Sequence, residues 1–544
     1  MNEIGFPAET GAQRRERLFS VVALAMLAIA LGYSTLVHFT CPVYPEDDAF
    51  IIYRYVDNVV AGNGPVYNVG QHVFGASCPL YVAGLAALKT ILRAVPVPDL
   101  AVRASFLPWL FAGFGLFLLL RRLVRRDWAA ALIAATFIIR DDLLRASTGG
   151  MESSIFVALL VWALWALAEE RFTTAAVIAG LSVPVRLEGA LLCLVVLVAW
   201  LVQSRRRAVP LLVALFVPGL VWIVFGFAYY GTPVYHSIIA KSRPLYPLPF
   251  GHALRTITSE FDYRVLGNLA PHRVNGDPET WRFTLRTVAL IFLTVLAAFG
   301  YLRRKPRPSD SPFDIRHSTF VISAVLFLLL LFLYLVTNPL MFPWYYPPLF
   351  ALWIVAMTVG IARIAAGRTK TIILAALCAF FAVTTLAQPL GRVFTGRSFA
   401  DIGTESDPVR TRIAAYRAAA EWLNQTLPDS VTIVGPEVGS LGYYYKGRVM
   451  DACGLTSPEA LPFLPVAASE RFSPECGAIS LELVQSLQPD VIVTMGTFAG
   501  LSLYDDRWFQ QTYKRVKTFD LPQPAWNTPT VDVYIRADHL QPGG

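Results

Sequence analysis

Charged residues are scarce in this chain. Asp, Glu, Lys and Arg together make up 15% of its 544 residues, whereas a soluble domain usually contains about 25%. Hydrophobic residues make up 55%, and the mean hydropathy is +0.51. The apolar residues lie in blocks of about 15–22, long enough to cross a bilayer core of about 30 Å. The composition therefore excludes a single soluble domain and predicts a polytopic membrane protein.

The sequence also lacks the motifs of several other kinds of site. Its six cysteines form no Cys-x-x-Cys pair and no His/Cys cluster with zinc spacing. The glycines of residues 435–442 match neither the phosphate-loop nor the dinucleotide-binding spacing, so we interpret them as a strand-to-helix turn. The net charge of +8 does not indicate nucleic-acid binding, because the basic clusters lie between the apolar blocks.

Those basic clusters predict the topology. We predict eleven transmembrane helices, at about residues 18–38, 104–120, 129–140, 153–168, 173–186, 188–203, 208–228, 284–302, 318–336, 348–365 and 370–388. The basic clusters are at residues 14–17, 121–126, 205–207, 303–307 and 363–370. With a cytoplasmic N-terminus, every cluster falls in the cytoplasm, as the positive-inside rule requires. The segments outside the cytoplasm are then 39–103, 141–152, 229–283, 337–347 and 389–544.

Two apolar blocks need a separate interpretation. The block at 18–37 is too long for a typical signal-peptide core and has no obvious cleavage site, so we interpret it as a retained anchor helix. The block at 79–95 is apolar enough to be a span. It contains Lys89 and Arg93 and ends in Val-Pro-Val-Pro, so we interpret it as an interfacial or re-entrant helix on the outer face.

The last 150 or so residues have no block long enough to cross a bilayer. We therefore predict a transmembrane catalytic domain at 1–390 and a soluble extracytoplasmic domain at 391–544. In the second domain, residues 409–427 have the pattern of an amphipathic helix. Buried strands are expected at 431–434, 491–494 and 531–535, with helical patterns between them. The predicted fold class is an α-helical membrane protein with a C-terminal α/β domain.

Four of the cysteines fall in the predicted outer segments. Cys41 and Cys78 lie in the first outer loop, and Cys453 and Cys476 lie in the C-terminal domain. Paired cysteines are typical of an oxidising compartment. We expect disulfides Cys41–Cys78 and Cys453–Cys476, and the alternative of four free thiols stays open.

Three consecutive acids, Glu46, Asp47 and Asp48, follow the first span, and Arg54 comes two helical turns later. One acid would be enough to favour a helix N-terminus. A carboxylate at the membrane surface could accept a proton from a hydroxyl nucleophile. Alternatively, a pair of carboxylates could hold a divalent cation.

More polar and aromatic residues lie at the predicted outer ends of spans. They are Arg140, Glu152, Arg186, Glu188, His236, Lys241 and Tyr345. Charges in a membrane are costly and are by default functional. Arg186 and Glu188 could also simply neutralise each other, and the aromatic residues could form an ordinary interfacial belt. Because these residues collect on one side, they indicate a site for a polar substrate that is attached to a lipid.

The same residues carry a family resemblance. The stretch 47–55, with Asn58, the glycines at 62, 64, 70 and 75, and Pro79-Leu80, resembles the first extracytoplasmic loop of GT-C glycosyltransferases. It looks most like the branch that contains the arabinofuranosyltransferases. Further elements follow in the order of that branch, at residues 149–152, 186–189, 230–241, 439–444 and 451–456. The chain departs from the pattern at Phe74, at residues 76–78, at Leu187 and at residues 236–237, which leaves the donor sugar open.

The resemblance implies transfer of a sugar, with arabinofuranose as one candidate, from a polyprenyl-phosphate donor to an envelope glycan or glycolipid. It implies a single inverting displacement in which Asp47, or failing that Asp48, deprotonates the acceptor hydroxyl. Arg186 and Lys241, with Arg140 as a further candidate, would bind the phosphate. The candidates for substrate binding are Arg54, Glu152, Glu188, His236 and Tyr345. No cofactor is certain, and a divalent cation on Asp47 and Asp48 stays open.

Two other classes of protein fit parts of the sequence. A transporter or flippase of lipid-linked sugars would often have inverted repeats and broken midplane helices, which are not evident here. A scaffold that binds envelope polymer would not need Asp47 and Asp48. The glycosyltransferase is therefore the favoured interpretation, in the inner membrane with the C-terminal domain outside.

Overall fold

The computed structural model describes residues 11–40, 45–203, 208–266, 315–364, 367–395 and 408–539. Up to residue 395 the described elements are helices. These are α1 Gly11–Thr40, α2 Asp47–Val60, α3 Pro79–Ile91, α4 Val97–Ala104, α5 Phe106–Val124, α6 Asp127–Ile139, α7 Asp141–Thr148, α8 Ser153–Ala168, α9 Phe172–Ser182, α10 Gly189–Gln203, α11 Ala208–Phe225, α12 His236–Ser242, α13 His252–Leu266, α14 Ile315–Thr337, α15 Tyr346–Ile361 and α16 Gly367–Thr395. The prediction of a mostly helical membrane protein is confirmed.

Five helical stretches in the described residues are long and apolar enough to cross a membrane. They are Gln13–Thr40, Val97–Val124, Ala208–Tyr230, Pro343–Ile361 and Gly367–Leu386. The pair α7 and α8, bent by 115° at the break, adds a sixth if it counts as one span. Other apolar helices, such as α6 and α9, are shorter than a straight span requires. The predicted count of eleven is not reached by this criterion, and the predicted span 284–302 lies outside the described residues.

The tail, which we define as residues 408–539, contains a five-stranded sheet flanked by short helices. Its elements are α17 Pro408–Thr426, β1 Thr432–Gly435, α18 Ser440–Tyr444, β2 Arg448–Asp451, α19 Leu481–Leu487, β3 Val491–Thr494, α20 Gly496–Ala499, α21 Arg507–Thr512, β4 Tyr513–Ala525 and β5 Thr528–Arg536. The strand order is β2-β1-β3-β5-β4. Strand β1 pairs in parallel with β2 and β3, and β5 pairs antiparallel with β3 and β4.

The predicted α/β character of the tail is confirmed, and three strands and α17 were expected from the sequence. Strands β2 and β4 were not. Strand β2 has four residues and begins with exposed Arg448, which is too short for a clear pattern. Strand β4 is an edge strand whose two lysines and one arginine face solvent, as is typical of edges that avoid aggregation. The predicted domain boundary at 390 falls within α16 and stays a prediction.

Two large apolar cores organise the molecule. The first is formed by the long helices, around residues such as Leu116, Leu164 and Phe350. The second joins the first loop to the tail, because Tyr53 and Tyr67 of the loop pack in the same core as Leu441 and Val493 of the tail. The loop and the tail therefore bury their apolar side chains against each other, and the candidate site lies beside that contact.

Candidate active site

Two cavities lie next to each other where the loop, the helix ends and the tail meet. The first cavity has a volume of about 210 Å³ and the second of about 250 Å³. Among the predicted site residues, the first is lined by Asp48, Glu152, Arg186, Glu188, Lys241 and Tyr345. Four residues line both cavities, namely Asp48, Ile51, Trp344 and Leu455. The structure thus brings six of the predicted residues to one place, although they are nearly 300 positions apart in the sequence.

Asp48 is the carboxylate between the two cavities. It lies in the first turn of α2, where the helix dipole favours an acid. Among the described residues its side chain has no hydrogen-bond or ion-pair partner. Burial raises the pKa of Asp48, Lys241 and Arg412 lower it, and the neighbouring Asp47 raises it further. A carboxylate with a raised pKa is a better proton acceptor at neutral pH while it is ionised.

Asp47, the first choice as general base, has a different environment. Its Oδ1 accepts a hydrogen bond from the backbone N–H of Ser440 at 2.9 Å, and its Oδ2 accepts one from Gly439 at 3.2 Å. Both oxygens are therefore used to hold the N-terminus of α18. Burial raises the pKa of Asp47, whereas Arg412 and these two donors lower it. Both acids stay candidates for the base; Asp48 is the one that lines both cavities, and Asp47 lines only the second.

Arg186 is surrounded by acids. Its guanidinium lies 3.4 Å from Glu152 and 2.7 Å from Glu188, and it donates to the Trp344 carbonyl at 3.1 Å. Its carbon Cζ also lies 5.2 Å from the ring centroid of Tyr345. The ion pair with Glu188, which the sequence left as an alternative, is present. The positive charge of Arg186 is therefore already balanced by carboxylates.

Lys241 is the cation of the first cavity that has no ion-pair partner among the described residues. It lies in the last turn of α12 and is exposed. The ammonium of Lys241 is attracted to the Asp48 carboxylate and lowers the pKa of that carboxyl. An incoming phosphate could therefore approach Lys241 without displacing a carboxylate.

Three predicted site residues do not line the cavities. Arg140 pairs with Asp142 at 2.9 Å and lies over the ring of Phe350. Arg54 donates to the backbone carbonyls of Tyr67, Gly442, Tyr445 and Gly447. His236 is buried at the start of α12, and burial lowers its pKa. The predicted substrate contacts of Arg54 and His236, and the predicted phosphate contact of Arg140, stay predictions.

The structure also bears on the two predicted disulfides. Cys453 and Cys476 are free thiols, so the second predicted disulfide is absent. The Cys453 thiol points at the Pro436 carbonyl, 3.3 Å away, and Cys476 instead accepts from the Ser473 hydroxyl at 3.4 Å. Cys78 is also free. Its predicted partner Cys41 lies outside the described residues.

The Asp47–Asp48 pair is a poor fit for a divalent cation. Both oxygens of Asp47 already accept backbone hydrogen bonds, and Asp48 lies near the cation Lys241. Among the described residues there is no group of three or more His, Cys, Asp or Glu side chains arranged to bind a metal ion. We therefore derive no step through a metal.

Several residues of the second cavity were not singled out from the sequence as site residues. Arg412 of α17 pairs with Glu437 at 3.1 Å, and burial raises the pKa of Glu437 to about 8. Asp451 accepts backbone hydrogen bonds from Cys453, Leu455 and Thr456, and burial raises its pKa to about 7. Glu437 lies in the glycine-rich turn that we interpreted as structural alone. The acid between the two glycines was the sequence feature that could have indicated a site residue there.

The chain has a fold similar to that of GT-C proteins. The crystal structure of an Archaeoglobus fulgidus oligosaccharyltransferase in the apo form aligns with 92% of this chain and 73% of its own, with a TM-score of 0.52 and 13% identity. At this identity the likeness establishes the fold alone. The crystal structure of ArnT from Cupriavidus metallidurans bound to undecaprenyl phosphate aligns with 98% of this chain, with a TM-score of 0.44 and 13% identity.

The sequence adds a particular relative. A segment of 221 residues is 30% identical to the terminal beta-(1->2)-arabinofuranosyltransferase of Mycobacterium tuberculosis. The match covers 36% of this chain and 34% of that protein, so it spans about a third of the relative's length. Residues 408–534, nearly the whole tail, match a family described as "Domain of unknown function (DUF8728)". The resemblance predicted from the ordered motifs is thereby confirmed.

Proposed function

We propose that this chain is an inverting glycosyltransferase. It transfers a sugar from a polyprenyl-phosphate donor to an envelope glycan or glycolipid acceptor on the outer face of the cytoplasmic membrane. The observation that carries the proposal is the position of Asp48, which lines both cavities and has no hydrogen-bond partner among the described residues. The relative's name makes arabinofuranose the first donor sugar to test.

The donor belongs in the first cavity, because this cavity has an exposed cation. Lys241 binds the donor phosphate and stabilises the charge that develops as it leaves. Arg186 stabilises this charge less than Lys241 does, since Glu152 and Glu188 already balance the positive charge of Arg186. Tyr345 and Trp344 form an aromatic wall of the same cavity.

The transfer is a single displacement at the anomeric carbon. The acceptor hydroxyl oxygen forms the new bond to this carbon while the bond to the phosphate oxygen breaks. The electron pair of the broken bond leaves with polyprenyl phosphate, and the hydroxyl proton passes to the Asp48 carboxylate. One displacement inverts the configuration of the sugar.

The proposal has a matching membrane topology. The N-terminus and the basic clusters are cytoplasmic, and the two cavities are at the outer face. Residues 1–390 form the transmembrane catalytic domain, and residues 391–544 form the extracytoplasmic domain that orients the acceptor.

The experiment is to incubate the purified protein with a panel of polyprenyl-phosphate sugars and an envelope glycan extract, and to measure released polyprenyl phosphate. We expect Asp48→Asn to lower turnover by about 10²–10⁴-fold. The acidic limb of the wild-type pH–rate profile should lie above the ordinary range of Asp, because the pKa of Asp48 is raised and the base must be ionised.

The matched control is Asp99→Asn, which removes a half-buried carboxylate that pairs with Arg103 and lines neither cavity. It should keep wild-type turnover. Full turnover by a folded Asp48→Asn protein would refute Asp48 as the base. Movement of lipid-linked sugar across vesicles without any turnover would favour the transporter.

A further inference from the structure

The turn of the β4–β5 hairpin contains an unexpected residue. Ala525 pairs with Thr528, so the loop consists of Trp526 and Asn527. Their φ angles are +47° and +61°. Two-residue loops with positive φ at both positions favour Asn, Asp and Gly, because a larger side chain crowds the backbone there. Tryptophan at the first position is therefore unfavourable for the turn itself.

Burial does not explain this choice. The Trp526 side chain is 46% exposed. The Arg412 guanidinium carbon lies 4.3 Å from its ring centroid, and the Phe498 ring meets it edge-on at 5.6 Å. The remaining surface of the indole lines the second cavity. Unfavourable backbone conformations of this kind persist mainly where a functional side chain must be presented.

The other walls of the second cavity are also aromatic, with hydrogen-bonding groups beside them. Phe342 and Trp344 stack at a centroid distance of 4.7 Å and form an aromatic wall. Arg412 and Glu437, which lie 3.1 Å apart, supply hydrogen-bonding groups. The cavity is also lined by six acids, namely Glu46, Asp47, Asp48, Glu437, Asp451 and Glu475. A sugar ring combines an apolar C–H face with a rim of hydroxyls, so it fits a cavity of aromatic surfaces and hydrogen-bonding groups. Asp48 is at the boundary with the first cavity.

We propose that the second cavity binds the chain of a neutral acceptor glycan, with the indole of Trp526 stacked on the face of one of its sugar rings. This inference rests on the proposed function, because the stacked ring orients the terminal hydroxyl of the glycan towards Asp48. It assigns a role to the tail: the tail selects the acceptor, while the membrane helices hold the donor. Trp526 is a binding residue for specificity and takes no part in the proton transfer.

The test measures binding without any donor, so that it is independent of turnover. Full-length protein in detergent is titrated calorimetrically with two neutral tetrasaccharides, one of arabinofuranose and one of glucopyranose. We expect at least one to bind, and Trp526→Asn to weaken that binding at least about tenfold, as for an aromatic anchor. The melting temperature of this variant should not fall, because Asn suits the turn better than Trp.

Two further variants separate stacking from a structural role. Trp526→Tyr keeps an aromatic face and should bind within a few-fold of wild type. Trp508→Phe is the matched control, since Trp508 packs against Tyr513 in the tail and lines neither cavity; it should bind like wild type. Equal loss of binding in the Asn and Tyr variants, with lower melting temperatures in both, would assign Trp526 to folding and overturn the proposal.

Two other results would also overturn it. One is unchanged affinity in Trp526→Asn, and the other is binding of neither tetrasaccharide by the wild type. Because no donor is present, these failures leave the Asp48 turnover assay unaffected. Conversely, a result that refutes Asp48 as the base would not change the expected effect of the Trp526 substitutions on glycan binding.

Discussion

Adjacent residues of the same type can have different tasks, and Asp47 and Asp48 are an example. Asp47 accepts two backbone hydrogen bonds from the tail, whereas Asp48 accepts none from the residues that the structure describes and lines both cavities. The difference arises because neighbouring side chains on a helix point about 100° apart. One acid therefore faces the tail while the next faces the cavities.

A second prediction about a single residue concerns Lys241 and its contact with the donor phosphate. Lys241→Ala should lower donor turnover strongly, because it removes a cation of the first cavity that has no ion-pair partner among the described residues. Lys241→Arg should restore part of the activity. The exposed side chain of Lys241 means that folding should be spared, which a melting curve would check.

Arg243→Ala is the matched control for Lys241. Arg243 is an exposed cation two residues further on that lines neither cavity and donates to the Leu461 carbonyl. Its loss should leave turnover close to wild type. If both substitutions lowered turnover equally, the effect would be one of general surface charge, and if neither did, Lys241 would have no role in phosphate binding.

At the scale of elements, the contact between α2 and α18 determines the site. Arg54 of α2 donates to carbonyls that follow α18, and Asp47 accepts from the residues that begin it. Gly439 allows the close approach: a Cβ atom there would lie 1.9 Å from the Asp47 carbonyl oxygen. These two helices can hold Asp48 in place only while residue 439 has no side chain.

We therefore expect Gly439→Ala to destabilise the protein by about 1–3 kcal/mol, the usual range for overpacking, and to lower turnover. Gly500→Ala is the control, because a Cβ atom at 500 meets nothing within 4 Å and Gly500 has no positive φ. That substitution should be neutral or slightly stabilising. Melting temperatures of the two variants in the same detergent decide the comparison, and equal values would contradict the tight contact at Gly439.

At the scale of the whole molecule, the proposal requires the tail to be outside the cytoplasm. The five basic clusters predict this orientation through the positive-inside rule. A reporter that is active only in the periplasm, fused after residue 400, should therefore be active. Activity of a cytoplasmic reporter at the same junction would contradict the topology and would place the candidate site on the wrong side of the membrane for an envelope acceptor.

The sequence by itself determined the class of protein, because apolar blocks in a chain with few charges are stable only in a bilayer. It also determined which ordered motifs carry the family resemblance, and six of its candidate residues lie around one cavity. The number of spans could not be predicted from the sequence in the same way, since helices such as α6 and α9 are shorter than a straight crossing of the bilayer requires.

Only the tertiary structure decided how these residues divide their tasks. Asp47 and Arg54 turned out to bind backbone groups of the tail nearly 400 positions away, and Trp526 lines a cavity that also includes Asp48. Local pattern cannot predict such contacts, because a carboxylate that accepts a backbone hydrogen bond has the same sequence signature as one that faces a substrate. The choice depends on which distant element is packed against it, and the fold of the tail onto the first loop makes that choice.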